Sequence, residues 1–275
     1  MLARLLTPRE FGLIGMITVF ITISEGFIDS GFGQALVRKK NCTNTDYSTV
    51  FYYNFVVGFL LYGILFISAG AIASFFEEPK LESIVKILGL GLLIKSITLI
   101  HMIILIKRID FKLQTKITVI SAVGSGAIAI FMAYKGFGVW SLVAKTLLMN
   151  AFMSILLWLW NRWIPAFQFS KQSFRELFGF GSKLMLSGLL NRIYKNIYLL
   201  IIGKYFSAAD LGYYTRADQF KNLASQNITG VIQRVSYPAL ASIQDDVPRM
   251  KKAYQKLIKS TMLLTFFLMF GLAAM

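Results

Sequence analysis

The sequence is short of charge and of the residues that soluble active sites use. Only 15% of its 275 residues are charged, against about 25% in an ordinary soluble domain, and the acids are scarcest, with 13 Asp and Glu facing 29 Lys and Arg. One cysteine, Cys42, excludes an internal disulfide, and with one histidine, His101, there is no Cys/His set from which to build a metal site. His101 reads as a buried or interfacial residue and not as a catalytic base. A signal peptide is missing from the pattern too. Met1 to Leu6 is too short for an apolar core, and Thr7-Pro8-Arg9-Glu10 follows at once. These first residues read as the tail of a helix begun earlier, and Met262 to Met275 stays apolar to the last residue, so a piece of a longer protein is expected.

What is present is apolar length. Hydrophobic residues make up 56% of the chain and the mean hydropathy is +0.62. A bilayer core needs roughly 20 apolar residues per helical crossing. Such runs fall near 12–33, 47–74, 81–106, 117–134, 138–160, 182–203, 212–235 and from 257 onward, which predicts an all-α, polytopic integral membrane protein of about eight spans. The runs are long and do not alternate, which argues against a β-barrel. Trp140, Trp158, Trp160 and Trp163 stand near predicted span ends, where interfacial aromatics belong.

A net charge of +16 invites a nucleic-acid reading, but the cations lie between apolar runs, not on a soluble face. They also alternate. Arg38, Lys39, Lys40, then Lys107, Arg108, Lys112, Lys116, then Arg162, Lys171, Arg175, Lys183, and finally Arg234, Arg249, Lys251, Lys252, Lys256 and Lys259 occupy every second connection. The intervening ones hold only Arg4, Arg9, Lys80, Lys86, Lys135 and Lys204. The positive-inside rule puts the richer side in the cytoplasm, against anionic headgroups. The longest connection, 161–181, interleaves Phe174, Leu177 and Phe178 with Lys171, Arg175 and Glu176 and reads as an amphipathic helix on that leaflet. It is the expected boundary between a first lobe, 1–160, and a second lobe beginning at 182 and incomplete at 275.

An internal repeat supports two lobes. A shift of 200 residues lays Thr7-Pro8-Arg9-Glu10-Phe11-Gly12 over Ser207-Ala208-Ala209-Asp210-Leu211-Gly212, matching a hydroxyl, an acid, an apolar residue and a glycine in order. Thr18, Thr22, Glu25 and Asp29 share one helical face, and the shifted Asp218, Asn222, Ser225 and Thr229 form a polar stripe as well. Six spans separate the copies, an even number, which predicts a parallel repeat about an axis along the membrane normal.

The runs Leu2-Ala3-Arg4-Leu5-Leu6-Thr7-Pro8-Arg9-Glu10-Phe11-Gly12-Leu13-Ile14, Asp29-Ser30-Gly31-Phe32-Gly33-Gln34-Ala35-Leu36-Val37 and Leu211-Gly212-Tyr213-Tyr214-Thr215-Arg216-Ala217 resemble the polysaccharide-exporter branch of the MOP superfamily, the branch of the Wzx-type O-antigen flippases and a relation of the MATE exporters. The resemblance covers essentially the whole chain. It implies two pseudo-symmetric, MATE-like lobes about a central cavity. It also implies alternating access that carries an undecaprenyl-diphosphate oligosaccharide across the bacterial cytoplasmic membrane for O-antigen, capsule or exopolysaccharide assembly, without enzymatic chemistry or a cofactor. Lipid-linked oligosaccharide, membrane lipids and the polymerase machinery are the implied partners. Against that pattern most of the first helix, and everything after the ninth, falls outside this chain.

Ionisable groups cost about 2.5–3.5 kcal/mol each at the bilayer centre, so they face a cavity or one another. The cations Lys95, Lys145, Arg192, Lys195, Arg216 and Lys221 outnumber the acids Glu25, Asp29 and Asp218 within predicted spans. A surplus of cations suits a diphosphate, with arginine offering a bidentate fork. Arg216, Arg192, Lys195, Lys221 and Lys95 are the candidate diphosphate ligands, Arg216 first because it lies in the family-like run. Asn191, Tyr194, Tyr198 and Asn222 are candidates to line the sugar cavity, and Glu25 and Asp29 to couple a proton or sodium ion. The bland alternative is mutual neutralisation, as between Asp218 and Lys221 three residues apart. A MATE-like small-molecule exporter, a membrane-embedded glycan polymerase or glycosyltransferase, and a non-functional fragment are the other readings. The first wants an acidic cavity, and the second clustered carboxylates or a sizeable soluble loop.

Overall fold

The computed structural model describes residues 2–39, 41–222 and 247–273, and among these the regular structure is helical throughout. In chain order the helices are α1 (Leu2–Leu5), α2 (Pro8–Asp29), α3 (Phe32–Arg38), α4 (Asn44–Phe76), α5 (Lys80–Lys107), α6 (Phe111–Tyr134), α7 (Val139–Asn161), α8 (Lys171–Tyr205), α9 (208–222) and α10 (Val247–Ala273). Five segments are long and apolar enough to cross a membrane: Pro8–Arg38, Asn44–Phe76, Lys80–Lys107, Phe111–Tyr134 and Val139–Asn161. They coincide with the first five predicted spans. The sixth, 182–203, lies within α8, where Lys183, Arg192 and Lys195 dilute the apolar run. Segment 161–181 divides into an irregular stretch, 162–170, and the first turns of α8, which continue unbroken into that run. The predicted spans at 212–235 and beyond 257 run partly outside the described residues, as do the stripe positions Ser225 and Thr229, the loop cation Arg234 and Lys40.

Local chemistry sets the helix boundaries. Three helices open on reciprocal caps. The Glu10 carboxylate accepts from the Thr7 amide at 2.7 Å. Asp46 and Thr43 exchange bonds of 2.9 and 3.2 Å, and Asp210 and Ser207 do so at 3.2 and 3.1 Å. Ser30 and Gly31, both at positive φ, break α2 from α3.

Two compact units make up the chain, residues 1–213 and 214–275. In the first, α4 pairs with α5, α6 with α7, and α2 lies along α8. Helix α6 buries Ile117, Ser121, Ser125, Ala129 and Ala133 at four-residue intervals, a stripe of mostly small side chains that lets two membrane helices approach closely. Large apolar residues such as Phe59, Ile64, Ile67 and Phe131 are exposed, the reverse of a soluble protein and suited to lipid. The chain is an all-α, multi-pass membrane protein.

Glycines carry the seam beside α2. A Cβ at Gly12 would lie 1.7 Å from the Ala208 carbonyl oxygen, and one at Gly212 would lie 1.8 Å from that of Pro8. Thus the two copies of the sequence repeat meet backbone to backbone at matching positions. Near the other end, a Cβ at Gly31 would lie 2.2 Å from the Gly181 carbonyl oxygen. Among the described residues the second unit holds 214–222 and α10, which is basic at Arg249, Lys251, Lys252, Lys256 and Lys259 and apolar beyond Met262.

Candidate functional site

Four ionisable side chains converge where α2, α5 and α8 pack. The 3.6-residue period sets Thr22, Glu25 and Asp29 on one face of α2. From α5, the half-buried Lys95 ammonium reaches the half-buried Glu25 carboxylate at 2.6 Å. From α8, Arg192 donates through Nη1 to the Thr22 carbonyl at 3.1 Å. The Arg192 stem lies across Gly26, its Cδ only 3.1 Å from where a Cβ would stand, so glycine makes room for the guanidinium. Asp29 accepts from the Gly33 amide at 3.3 Å, and the charges of Arg192 and Lys95 both bear on it. The cluster therefore holds two acids and two bases.

The other candidates are placed differently. Lys195, Asn191, Tyr194 and Tyr198 stand exposed on α8, as Lys145 does on α7. In the second unit, Lys221 pairs with Asp218, the neutralising alternative weighed from their spacing, and Asn222 donates to the same carboxylate at 2.7 Å. Arg216 is half-buried on that helix. Two participants escaped the sequence reading, Gly26 and Asn196, the latter donating to the Arg192 carbonyl at 2.7 Å. Their spacing was the available signal: Gly26 adjoins Glu25, and Asn196 is one turn beyond Arg192.

Ion pairs also fasten both ends of the helices. Near the basic loops, Lys39 reaches Asp46 at 3.2 Å and Glu176 at 3.0 Å. Partial burial opposes its charge, but the hydrogen bonds and charges of Glu176 and Asp46 outweigh this and raise its pKa above the ordinary lysine value. Lys107 donates to the Leu36 carbonyl at 3.0 Å and approaches Cys42 Sγ at 2.7 Å. At the opposite end, adjacent carboxylates of the α4–α5 turn hold two helices, Glu78 taking Arg9 and Glu77 taking Lys204, each at 2.9 Å. His101 is buried beside Trp158, ring centroids 4.4 Å apart. Its carbonyl accepts from Asn161 at 3.2 Å.

Charged side chains paired inside an apolar bundle define a polytopic membrane protein with a polar interior site. Across residues 1–275 the sequence matches the family described as "Polysaccharide biosynthesis protein", and the chain belongs to that family. It is 31% identical to the teichuronic acid biosynthesis protein TuaB of Bacillus subtilis, an alignment covering all of this chain and 57% of that protein. It is 26% identical to the succinoglycan biosynthesis transport protein ExoT of Rhizobium meliloti, over all of this chain and 56% of the relative. Identity is 22% to the lipopolysaccharide biosynthesis protein WzxC of Escherichia coli, over 98% of this chain and 56% of that one. The chain thus spans little more than half the length of these relatives. No solved structure matches.

Proposed function

We propose that this chain is part of a non-enzymatic flippase that moves an undecaprenyl-diphosphate-linked oligosaccharide across the bacterial cytoplasmic membrane by alternating access. The observation that carries the reading is the Glu25, Lys95, Asp29 and Arg192 cluster. Membrane-embedded charges at a helix junction mark a path for polar cargo, and carboxylates paired with cations are natural stand-ins for a diphosphate. Arriving phosphate oxygens can take over Lys95 and Arg192, while Glu25 and Asp29 are released to accept a proton or sodium ion. In that reading the exposed Asn191, Tyr194, Lys195 and Tyr198 of α8 meet the sugar, and in the second unit, taken by itself, Arg216 and Lys221 are phosphate ligands and Asn222 a sugar contact. The relatives named for polysaccharide biosynthesis and transport support the cargo class. A small-cation exporter is disfavoured because the cluster is balanced and not acidic.

The test is translocation by the full-length protein in vesicles loaded with a fluorescent lipid-linked oligosaccharide. Wild-type protein is expected to make the inner-leaflet lipid accessible to an external glycosidase, and Arg192→Ala to slow this at least tenfold. No acceleration over protein-free vesicles would overturn the proposal.

A further inference from the structure

We propose that the cavity between α3 and α8 is a binding site for a lipid headgroup of net negative charge that bears a phosphate, with Arg38 as its main donor. The inference rests on the membrane placement of the chain and not on translocation. The cavity measures about 320 Å³ and is lined by Ala35, Arg38, Lys39, Glu176, Leu177 and Phe180.

The two cations are held in complementary ways. The Arg38 guanidinium carbon lies 4.3 Å from the Phe180 ring centroid, a cation–π contact that holds the charge at the cavity wall without an anion, and the group carries five N–H donors suited to an oxyanion. Among the described residues Arg38 takes part in no ion pair. Lys39 is shared between Asp46, whose side chain is 2% exposed, and Glu176, whose side chain is 59% exposed. A phosphate entering the cavity can displace the solvent-exposed Glu176 from Lys39, while the buried Asp46 keeps the ammonium in place. Arg38 then supplies the fork that phosphate oxygens fit.

The surroundings point to lipid as the source of that phosphate. Ala35, Leu177 and Phe180 give the cavity apolar walls. The connection leading into α8 leaves Ile164, Phe167 and Phe169 exposed at 74, 99 and 53%, apolar side chains that a bilayer interface covers. Lys171, Arg175 and Lys183 are exposed on the adjoining turns of α8, as expected of a surface set at headgroup depth.

The experiment titrates the purified chain in uncharged detergent with short-chain phosphatidic acid, inorganic phosphate and short-chain phosphatidylcholine, reading binding by thermophoresis. Phosphatidic acid is expected to bind saturably and the other two at least tenfold more weakly. Arg38→Ala should weaken phosphatidic acid about tenfold, Arg38→Lys by less, and Glu176→Gln should tighten it. Phe180→Ala, which removes the ring but no charge, should weaken it severalfold and serves if the Arg38 variants do not accumulate. Lys112→Ala, removing an exposed cation outside the cavity, should change it less than twofold. Equal losses at Arg38 and Lys112 would mean diffuse surface attraction and overturn the site. Inorganic phosphate binding as tightly as phosphatidic acid would overturn the lipid assignment, and absence of saturable binding would overturn both. Because no arm reads transport, a protein that binds phosphatidic acid but flips nothing would refute the flippase reading alone.

Discussion

Gly12 and Gly212, two hundred positions apart, are seated on each other's helix: each α-carbon faces a first-turn carbonyl of the partner helix, Ala208 for Gly12 and Pro8 for Gly212. The relation is reciprocal, as in an isologous contact between two subunits, though here both partners belong to one chain. Neither position has room for a methyl group.

Gly12→Ala and Gly212→Ala are each expected to destabilise the protein by about 1–3 kcal/mol, the usual cost of overpacking. Their combination should cost less than the sum, since the first methyl group already separates the helices and makes room for the second. Thermal unfolding in detergent measures the cycle. Strict additivity would show that the two glycines do not share one crossing.

Lys95→Ala should destabilise more than the double variant Glu25→Leu/Lys95→Leu. Removing one member of a pair withdrawn from water strands the other, whereas replacing both removes the desolvation cost as well. For a fully buried pair the single loss is about 3–5 kcal/mol, and the half-exposed Lys95 places the expected value below that range. Denaturation in mixed micelles compares the two.

Much of the helical scaffold was legible beforehand, because twenty-residue apolar runs are read by length alone and five of them returned as the five apolar segments. The repeat was legible through residue types, and Thr7 with Glu10 and Ser207 with Asp210 now carry the same cap. Partnership was not legible. Glu25 and Lys95 occupy different helices, and nothing local to either names the other, so their ion pair could not be read from the sequence, nor could the placing of Asp29 within the field of Arg192. Lys221, a candidate phosphate ligand, was weighed against a pair with Asp218 because that spacing is local, and the pair is present. Tyr194 and Tyr198 were assigned to a polar lining from type alone, and exposure on α8 is a property of packing that composition does not encode.

Arg216→Ala is expected to weaken cargo binding about ten- to a hundredfold in the full-length protein, the worth of a charge-assisted contact of roughly 1.5–3 kcal/mol. Arg216→Lys should fall between, keeping charge and losing the fork. Abundance must be matched. Normal flipping by an equally abundant Arg216→Ala protein would make the charge structural.

The Glu77 to Lys204 pair gives a pH dependence of definite sign. The hydrogen bond and charge of Lys204 hold the Glu77 carboxyl below the ordinary value of 4.5. A depressed folded pKa means a contribution fully present above that ordinary value and lost as pH falls through the folded one. The difference in melting temperature between wild type and Glu77→Gln should therefore be largest near neutrality and close below pH 4. A gap that widens on acidification would contradict this.

The bond from Arg192 to the Thr22 carbonyl spans 170 residues of chain, and this sets a timetable for biogenesis. At a synthesis rate of about 5–20 residues per second, α2 precedes its α8 partner by roughly 10–30 s. Throughout that interval α2 stands in the insertion pathway with Asp29 lacking Arg192 and with the glycine surface that α8 later covers still bare. The contacts that α8 makes with the Thr22 carbonyl and with Gly26 are thus among the last of this bundle to form during synthesis.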